Sequence, residues 1–127
     1  MTRSKNYDIT EVTTTIMMCF IKNGYAGTSL DTLVQATGIL RGSLYAAFGS
    51  KRGMFIAVLE LLNQDTKVSP AGLDIASIAL LELTSKSDKI KALTAAYLSK
   101  LPTKDLANRL GQQLLIHGQL TKEAKHG

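Results

Sequence analysis

Apolar residues recur at intervals of three and four along most of this chain, which is the spacing of one face of an α-helix. The first series is Ile9, Val12, Ile16, Cys19 and Phe20. It predicts a helix from about Asp8 to Asn23. Asp8 and Glu11 have the spacing of an N-terminal capping box, and Gly24 can stop the helix because glycine adopts a left-handed conformation without strain.

Three shorter apolar patterns follow, and they predict helices at about 30–36, 40–48 and 51–65. Ser29 is a suitable N-cap for the first of these helices, and Ser50 for the third. Gly38 separates the first helix from the second, since a tight turn there needs a positive φ. The inner face of the middle helix is expected to consist of Leu44, Ala47 and Phe48.

The second half of the chain predicts a loop and three more helices. Residues 67–72 contain Ser69-Pro70 and predict the loop. Residues 73–83 are apolar nearly all round, which is typical of a central, buried helix. Two further helices are predicted, one from Ser87 and one after Pro102. No strand alternation or internal repeat occurs, so the predicted class is all-α, with four helices in the first half and about three in the second.

Composition and charge permit a packed core and leave the partner open. The chain has 127 residues, of which 45% are hydrophobic and 20% charged, and its net charge is +5. A polyanionic partner fits this charge but is not required by it. Residues 1–63 carry six Lys/Arg against four Asp/Glu, and residues 64–127 carry nine against six. Only the stretch 36–57 is one-signed, with three basic residues and no acid.

Signals for secretion, membranes and catalysis are weak. Cys19 is the single cysteine, so no intrachain disulfide can form. The N-terminus lacks an apolar signal core, and the run IMMCFI is too short to span a bilayer. We therefore expect a cytoplasmic protein without a membrane segment, with Cys19 in the core. His117 and His126 are isolated and no nucleophile–base pair is evident, so we predict no metal, no cofactor and no enzymatic activity.

The segment 38–53, GILRGSLYAAFGSKRG, has three interpretations. A phosphate-binding nucleotide loop would need a preceding strand and a different order of glycines and lysine. A plain core helix would explain Leu44 and Phe48 but would leave Arg41, Gly42 and Ser43 without a reason. Two short helices joined by a tight turn through Gly38 have the spacing of a helix-turn-helix, whose second helix enters the DNA major groove.

The helix-turn-helix interpretation gives each polar residue of the segment a role. Arg41 carries paired donors that suit guanine O6 and N7, and Gly42 permits close approach to the duplex. Ser43 and Tyr45 offer hydroxyls to bases or phosphates. The remaining candidates for contacts with phosphates are Thr28 and Ser29 at the start of the second helix and Lys51 at the start of the fourth.

Four motifs resemble the DNA-binding domain of TetR-type bacterial transcriptional repressors. They are KNGY at 22–25, TS at 28–29, GILRGSLY at 38–45 and FGSK at 48–51. The resemblance covers about residues 7–62. It implies an N-terminal three-helix unit with a helix-turn-helix as the DNA-binding domain at 1–50. A connecting fourth helix and about three C-terminal helices would form a shortened helical regulatory and dimerisation domain at 51–127. The resemblance also implies phosphate contacts from Thr28, Ser29, Tyr45 and Lys51, base contacts from Arg41, Gly42 and Ser43, and an N-terminal arm with Arg3 and Lys5.

The chain departs from the family pattern at three positions of the predicted recognition helix. Leu40 replaces the usual Ser/Thr, so this helix lacks a side-chain N-cap, which should cost about 1 kcal/mol. Ala46 and Ala47 replace bulkier residues. Ala46 becomes a candidate for methyl contact with thymine, and fewer side chains can reach the DNA.

The last predicted helix carries small residues on one side. Ala107, Gly111 and Gly118 lie beside Leu114, and this spacing allows two helix backbones to approach closely. Two interpretations stay open. These four residues form a dimer seam, or they form a packing groove within one chain in which Gly118 ends the helix.

The sequence predicts a sequence-specific DNA-binding transcriptional regulator, and we expect it to act as a repressor that binds a palindromic operator in double-stranded DNA as a homodimer. The alternative is a helical interaction module that heterodimerises with a related regulator without reading DNA itself. The resemblance implies a small-molecule effector. The C-terminal part is shorter than is usual in this family, and few helices remain to line the pocket of about 300 Å³ that such a ligand needs.

Overall fold

A computed structural model describes residues 7–121 of the chain. These residues form seven helices: α1 (Ile9–Asn23), α2 (Leu30–Thr37), α3 (Arg41–Phe48), α4 (Lys51–Leu62), α5 (Pro70–Glu82), α6 (Asp88–Leu98) and α7 (Thr103–His117). Residues 7–121 contain no strand, so the predicted all-α class and the order of its helices are confirmed. No helix in this range has the length and apolar character needed to cross a lipid bilayer.

Serine hydroxyls begin four of the seven helices. The hydroxyl oxygen of Ser29 accepts the backbone N–H of the residue three positions later, and Ser50, Ser69 and Ser87 do the same, at donor–acceptor distances of 2.9–3.2 Å. Each hydroxyl satisfies one of the amides that the first turn of a helix leaves without an intrahelical partner. Short local patterns therefore set the start of α2, α4, α5 and α6.

The chain divides into two compact units, and the boundary falls between Gln64 and Asp65. In the first unit, α1 packs on both α2 and α4. The rings of Phe20, Tyr25 and Phe55 form its aromatic centre, with centroids 5.3–5.7 Å apart. Helix α4 contributes Met54, Phe55, Val58, Leu59 and Leu62 to this core.

In packing terms, α4 belongs to the first unit. The boundary expected after residue 50 divides the chain by function and not by packing. We propose that the part before it binds DNA and that the part after it serves regulation and dimerisation.

The second unit is built on α5, which contacts both α6 and α7. The loop predicted for residues 67–72 is wrong for its last three residues, because α5 already begins at Pro70 with Ser69 as its N-cap. The missed signal was a serine followed by proline, since proline is favoured in the first turn of a helix. Gly72 lies inside α5, where the buried Tyr97 of α6 packs against it.

Helix α5 is buried through its middle and exposed towards its C-terminal end. Leu73, Ile75, Ala76 and Ala79 are buried, whereas Leu80 and Leu81 are 48% and 81% exposed. The prediction of a helix buried all round is therefore wrong for the end of α5. Leu80 lines a cavity of about 480 Å³ together with residues of α6, α7 and the turns beside them.

A polar cluster joins α7 to α5. Gln113 donates from Nε2 to Asp74 Oδ1 at 3.2 Å, and His117 Nδ1 lies 3.4 Å from the same oxygen. Asp74 is almost buried, with 13% of its side chain exposed, so these two contacts largely replace the water that its carboxylate would otherwise bind. His117, isolated in the sequence, therefore has a structural partner.

Candidate nucleic-acid interface

The turn between α2 and α3 has the geometry of a helix-turn-helix. Gly38 ends α2 in the left-handed conformation, with φ 72° and ψ 13°, and its N–H bonds to the carbonyl of Val34. Ile39 donates its N–H to the Thr37 hydroxyl at 3.1 Å. Leu33, Ile39 and Leu44 are buried and hold the two helices together from the inside. The turn predicted at Gly38 is thus formed as expected.

The outer surface of α3 is open along its N-terminal half. The exposed residues are Arg41, Gly42, Ser43, Tyr45 and Ala46, while Leu44 between them is buried. A Cβ atom built on Gly42 would meet no atom within 4 Å outside its own helix. The surface around Gly42 is therefore free for the close approach of another molecule.

Arg41 is held by an acid on the preceding helix. Its Nη2 donates a hydrogen bond to Oδ1 of Asp31 in α2, and the same atoms form an ion pair. The side chains remain 54% and 81% exposed, respectively. The sequence predicted a role for Arg41 and none for Asp31. The two residues are ten positions apart and meet only because of the turn at Gly38.

Of the two residues that precede α2, one is exposed as expected and the other is buried. Ser29 is exposed, and its hydroxyl accepts the Thr32 N–H at 3.0 Å. Thr28 is fully buried, and its hydroxyl donates inward to the Gly24 carbonyl at 2.6 Å, with the Cys19 carbonyl 3.2 Å away. The expected phosphate contact of the Thr28 side chain is thus corrected, because its hydroxyl is used inside the unit.

Lys51 begins α4 beside an aromatic ring. Its Nζ lies 4.5 Å from the centroid of the Tyr25 ring, a cation–π geometry, and the side chain is half-buried. Tyr25 was part of the KNGY motif but received no role from the sequence. The ring directs a cation that is otherwise flexible, so the position of this charge depends on the aromatic centre of the unit.

The start of α3 lacks a side-chain cap, as predicted. Leu40 occupies the N-cap position without a capping hydrogen bond, and it is 76% exposed. Ala47 was expected on the inner face but is exposed, so Leu44 and the half-buried Phe48 provide the inward contacts of this short helix. Arg3 and Lys5, the expected arm, lie outside the described residues, as does His126.

The side of α7 expected to form a dimer seam is open in the single chain. Ala107 is exposed, Leu114 is 48% exposed, and a Cβ built on Gly111 would meet nothing within 4 Å outside its own helix. Gly118 is the C-cap of α7, as the packing-groove interpretation expected of this residue. No neighbouring segment of the described chain fills the space beside Gly111.

Two further observations limit the chemistry of the described residues. Cys19 is half-buried rather than in the core, and burial raises the pKa of its thiol although Lys22 opposes the shift. A raised pKa keeps this cysteine in the less reactive thiol form. Within residues 7–121, no three His, Cys, Asp or Glu side chains are grouped in a way that could hold a metal ion.

The geometry defines the first unit as a helix-turn-helix domain, and comparison with known proteins finds a family that is similar over this unit. Residues 12–58 match the family described as bacterial regulatory proteins, tetR family. The match lies within the N-terminal unit and covers less than half of the chain. No solved structure matches the chain significantly.

Two curated relatives are similar over the same length of chain. An uncharacterized HTH-type transcriptional regulator, YezE of Bacillus subtilis (strain 168), is 38% identical over 60 residues, which are 47% of this chain and 31% of the relative. The HTH-type transcriptional repressor ComR of Escherichia coli (strain K12) is 43% identical over 58 residues, or 46% and 28% of the two chains. The match thus spans less than a third of either relative.

Proposed function

We propose that this protein is a sequence-specific DNA-binding transcriptional regulator that acts as a repressor by occupying an operator. The observation that carries the proposal is the exposed, slim and cationic start of α3, where Arg41 and Ser43 flank the open surface at Gly42. The name of the similar Escherichia coli protein, a transcriptional repressor, supports the direction of regulation.

Each exposed residue of the interface has one proposed task. Arg41 offers its remaining guanidinium donors to guanine O6 and N7, and Ser43 lies beside it in the groove. The Ala46 methyl group contacts a thymine methyl. Ser29, Tyr45 and Lys51 contact phosphates and set the register of the helix on the duplex.

The proposed functional form is a homodimer on a palindromic operator. One eight-residue recognition helix makes few base contacts, and regulators of this type gain specificity from two half-sites about 34–36 Å apart or a multiple of that distance. The open side of α7 at Ala107, Gly111 and Leu114 supports a seam between two copies. Leu114→Glu is expected to produce monomers in sedimentation experiments, whereas Gln112→Glu, a charge change at a neighbouring exposed position, should leave the dimer intact.

The cavity of the second unit supports a small-molecule effector. Its volume of about 480 Å³ exceeds the 300 Å³ or so that such a ligand needs, so the three C-terminal helices line more space than the sequence suggested. Leu98, Leu101 and Leu106 supply apolar surface. We propose that a mainly apolar molecule binds there. Leu98→Arg should abolish the shift in melting temperature that such a molecule causes, while Leu81→Arg, outside the cavity, should retain it.

Selection of bound sequences from a random DNA pool tests the function directly. We expect the selected duplexes to share a palindrome and the affinity to fall steeply between about 50 and 200 mM salt. Enrichment without symmetry would contradict the dimer. No enrichment by a folded protein would contradict DNA reading, and heterodimer formation with a related regulator would then be tested by co-purification of the two chains.

A further inference from the structure

Asp31 is the acidic residue that contacts Arg41, the residue for which we propose a base contact. It is the second residue of α2, and its carboxylate accepts a hydrogen bond from Arg41 at the start of α3. Both side chains are well exposed, and an exposed ion pair contributes little to the stability of a fold. The main effect of this pair is therefore expected on binding.

The pair makes the two helices of the motif electrically neutral. Between residues 30 and 48, Asp31 is the only acid and Arg41 the only base. Asp31 lies two residues from Ser29, at the N-terminal end of α2, where we propose a phosphate contact. A carboxylate near that place repels the backbone of any duplex, whatever its sequence, because phosphate charge dominates non-specific binding. Asp31 therefore opposes the sequence-independent part of DNA affinity.

The contact also restricts the direction of the Arg41 side chain. A guanidinium presents five donors in a rigid plane, and Asp31 accepts from one terminal nitrogen, so donors remain for a guanine. An arginine already held at one edge loses less conformational freedom when it binds a base. The carboxylate thus favours one orientation of the fork before the DNA arrives.

We propose that Asp31 is a specificity-determining residue that acts through Arg41. It positions the guanidinium for a guanine, and its charge weakens binding to duplexes in which Arg41 has no guanine to contact. This inference rests on the proposed DNA-binding function and adds to it a residue on α2 that touches no base itself. Asp31 is a positioning residue, and its effect on base preference must disappear when Arg41 is removed.

Asp31→Asn is the appropriate variant because it keeps the size of the side chain and removes its charge. Glu11→Gln is the matched control, since it removes the same charge from an exposed position of α1, outside the helix-turn-helix. Dissociation constants are measured for three duplexes: the selected palindrome, the palindrome with its Arg41-dependent guanine replaced, and a scrambled sequence. Each is measured at about 50 and 200 mM salt.

Asp31→Asn should bind the scrambled duplex about threefold to tenfold more tightly than the wild type and with a steeper dependence on salt. Its preference for the guanine should fall by a similar factor. In an Arg41→Ala background, the same substitution should leave base preference unchanged, a result that a purely structural role would not produce. Circular dichroism melting shows whether each variant is folded.

Three results would overturn the inference, and they are distinguishable. If Asp31→Asn matches Glu11→Gln on all three duplexes, Asp31 has no part in specificity although DNA binding stands. If the folded wild type prefers no duplex at all, the proposed function fails and the inference fails with it. An effect of Asp31→Asn on base preference that persists in the Arg41→Ala background would also contradict action through Arg41.

Discussion

The Tyr97 hydroxyl occupies the space that a side chain at position 72 would need. A Cβ atom on Gly72 would lie 1.8 Å from that oxygen and 2.4 Å from the ring carbon that bears it. The same hydroxyl accepts the backbone N–H of Ser69 at 2.9 Å, so it is fixed against the start of α5. The close approach of α6 to α5 therefore depends on the absence of a side chain at Gly72.

Gly72→Ala should destabilise the second unit. The added methyl group must displace a buried ring that is held by a hydrogen bond, and overpacking of this kind costs about 1–3 kcal/mol. The free energy of unfolding from urea titration measures the loss. Gly42→Ala is the matched control, because it has open space and should raise stability by about 0.5–1 kcal/mol. Equal effects of the two substitutions would rule out the steric explanation.

Leu40→Ser should raise the melting temperature. Leucine at this N-cap makes no capping hydrogen bond and is 76% exposed, so little buried apolar area is lost in the exchange. A serine hydroxyl can accept a free amide of the first turn of α3 and should contribute about 0.5–2 kcal/mol. Leu40→Ala separates the cap from simple loss of the leucine. A melting temperature that rises equally in both variants would count against the capping explanation.

Thr28→Val should lower stability and leave DNA affinity unchanged. Valine keeps the shape but removes the buried hydroxyl that donates to the Gly24 carbonyl, and such a loss costs about 1–3 kcal/mol. Thermal unfolding measures the first effect, and titration of the folded protein with the selected duplex measures the second. Ser29→Ala, at the exposed neighbour, should weaken DNA binding as well. Weakened DNA binding by folded Thr28→Val would restore Thr28 to the interface.

Arg41→Ala and Lys51→Ala should affect DNA binding in different ways. Loss of Arg41 should cost about 1–3 kcal/mol on the selected palindrome and relax the preference at one base pair of each half-site. Loss of Lys51 should weaken binding to all duplexes alike and reduce the salt dependence by about one phosphate contact per subunit. Gel-shift titrations against the palindrome and single-base variants distinguish the two outcomes. Identical profiles would mean that Arg41 does not read a base.

Features encoded by neighbouring residues were predictable from the sequence, and features made by distant residues were not. The serine caps and the left-handed Gly38 follow from local preferences, so the helices of the first unit begin and end close to their predicted residues. The family motifs also located the outer surface of α3. These signals depend on spacing alone.

Tertiary contacts explain what the sequence missed. Thr28 has the position of a surface residue in the motif, yet the turn after α1 brings its hydroxyl onto backbone carbonyls. Asp31 meets Arg41 across the turn at Gly38, and Lys51 meets Tyr25, although the residues of each pair are far apart in the sequence. Leu81, within a run apolar on all sides, is exposed because the described chain covers the middle of α5 and leaves its surface at Leu80 and Leu81 open.

The four serines that begin α2, α4, α5 and α6 have a consequence for how the chain folds. Each hydroxyl bonds an amide only three residues ahead, so these boundaries can be marked while a segment is still emerging from the ribosome. The starts of these helices are then set before the helices pack together, and tertiary packing determines only which helices contact each other. Replacing any one of these serines should make the start of its helix less well defined early in folding, before the core around that helix has formed.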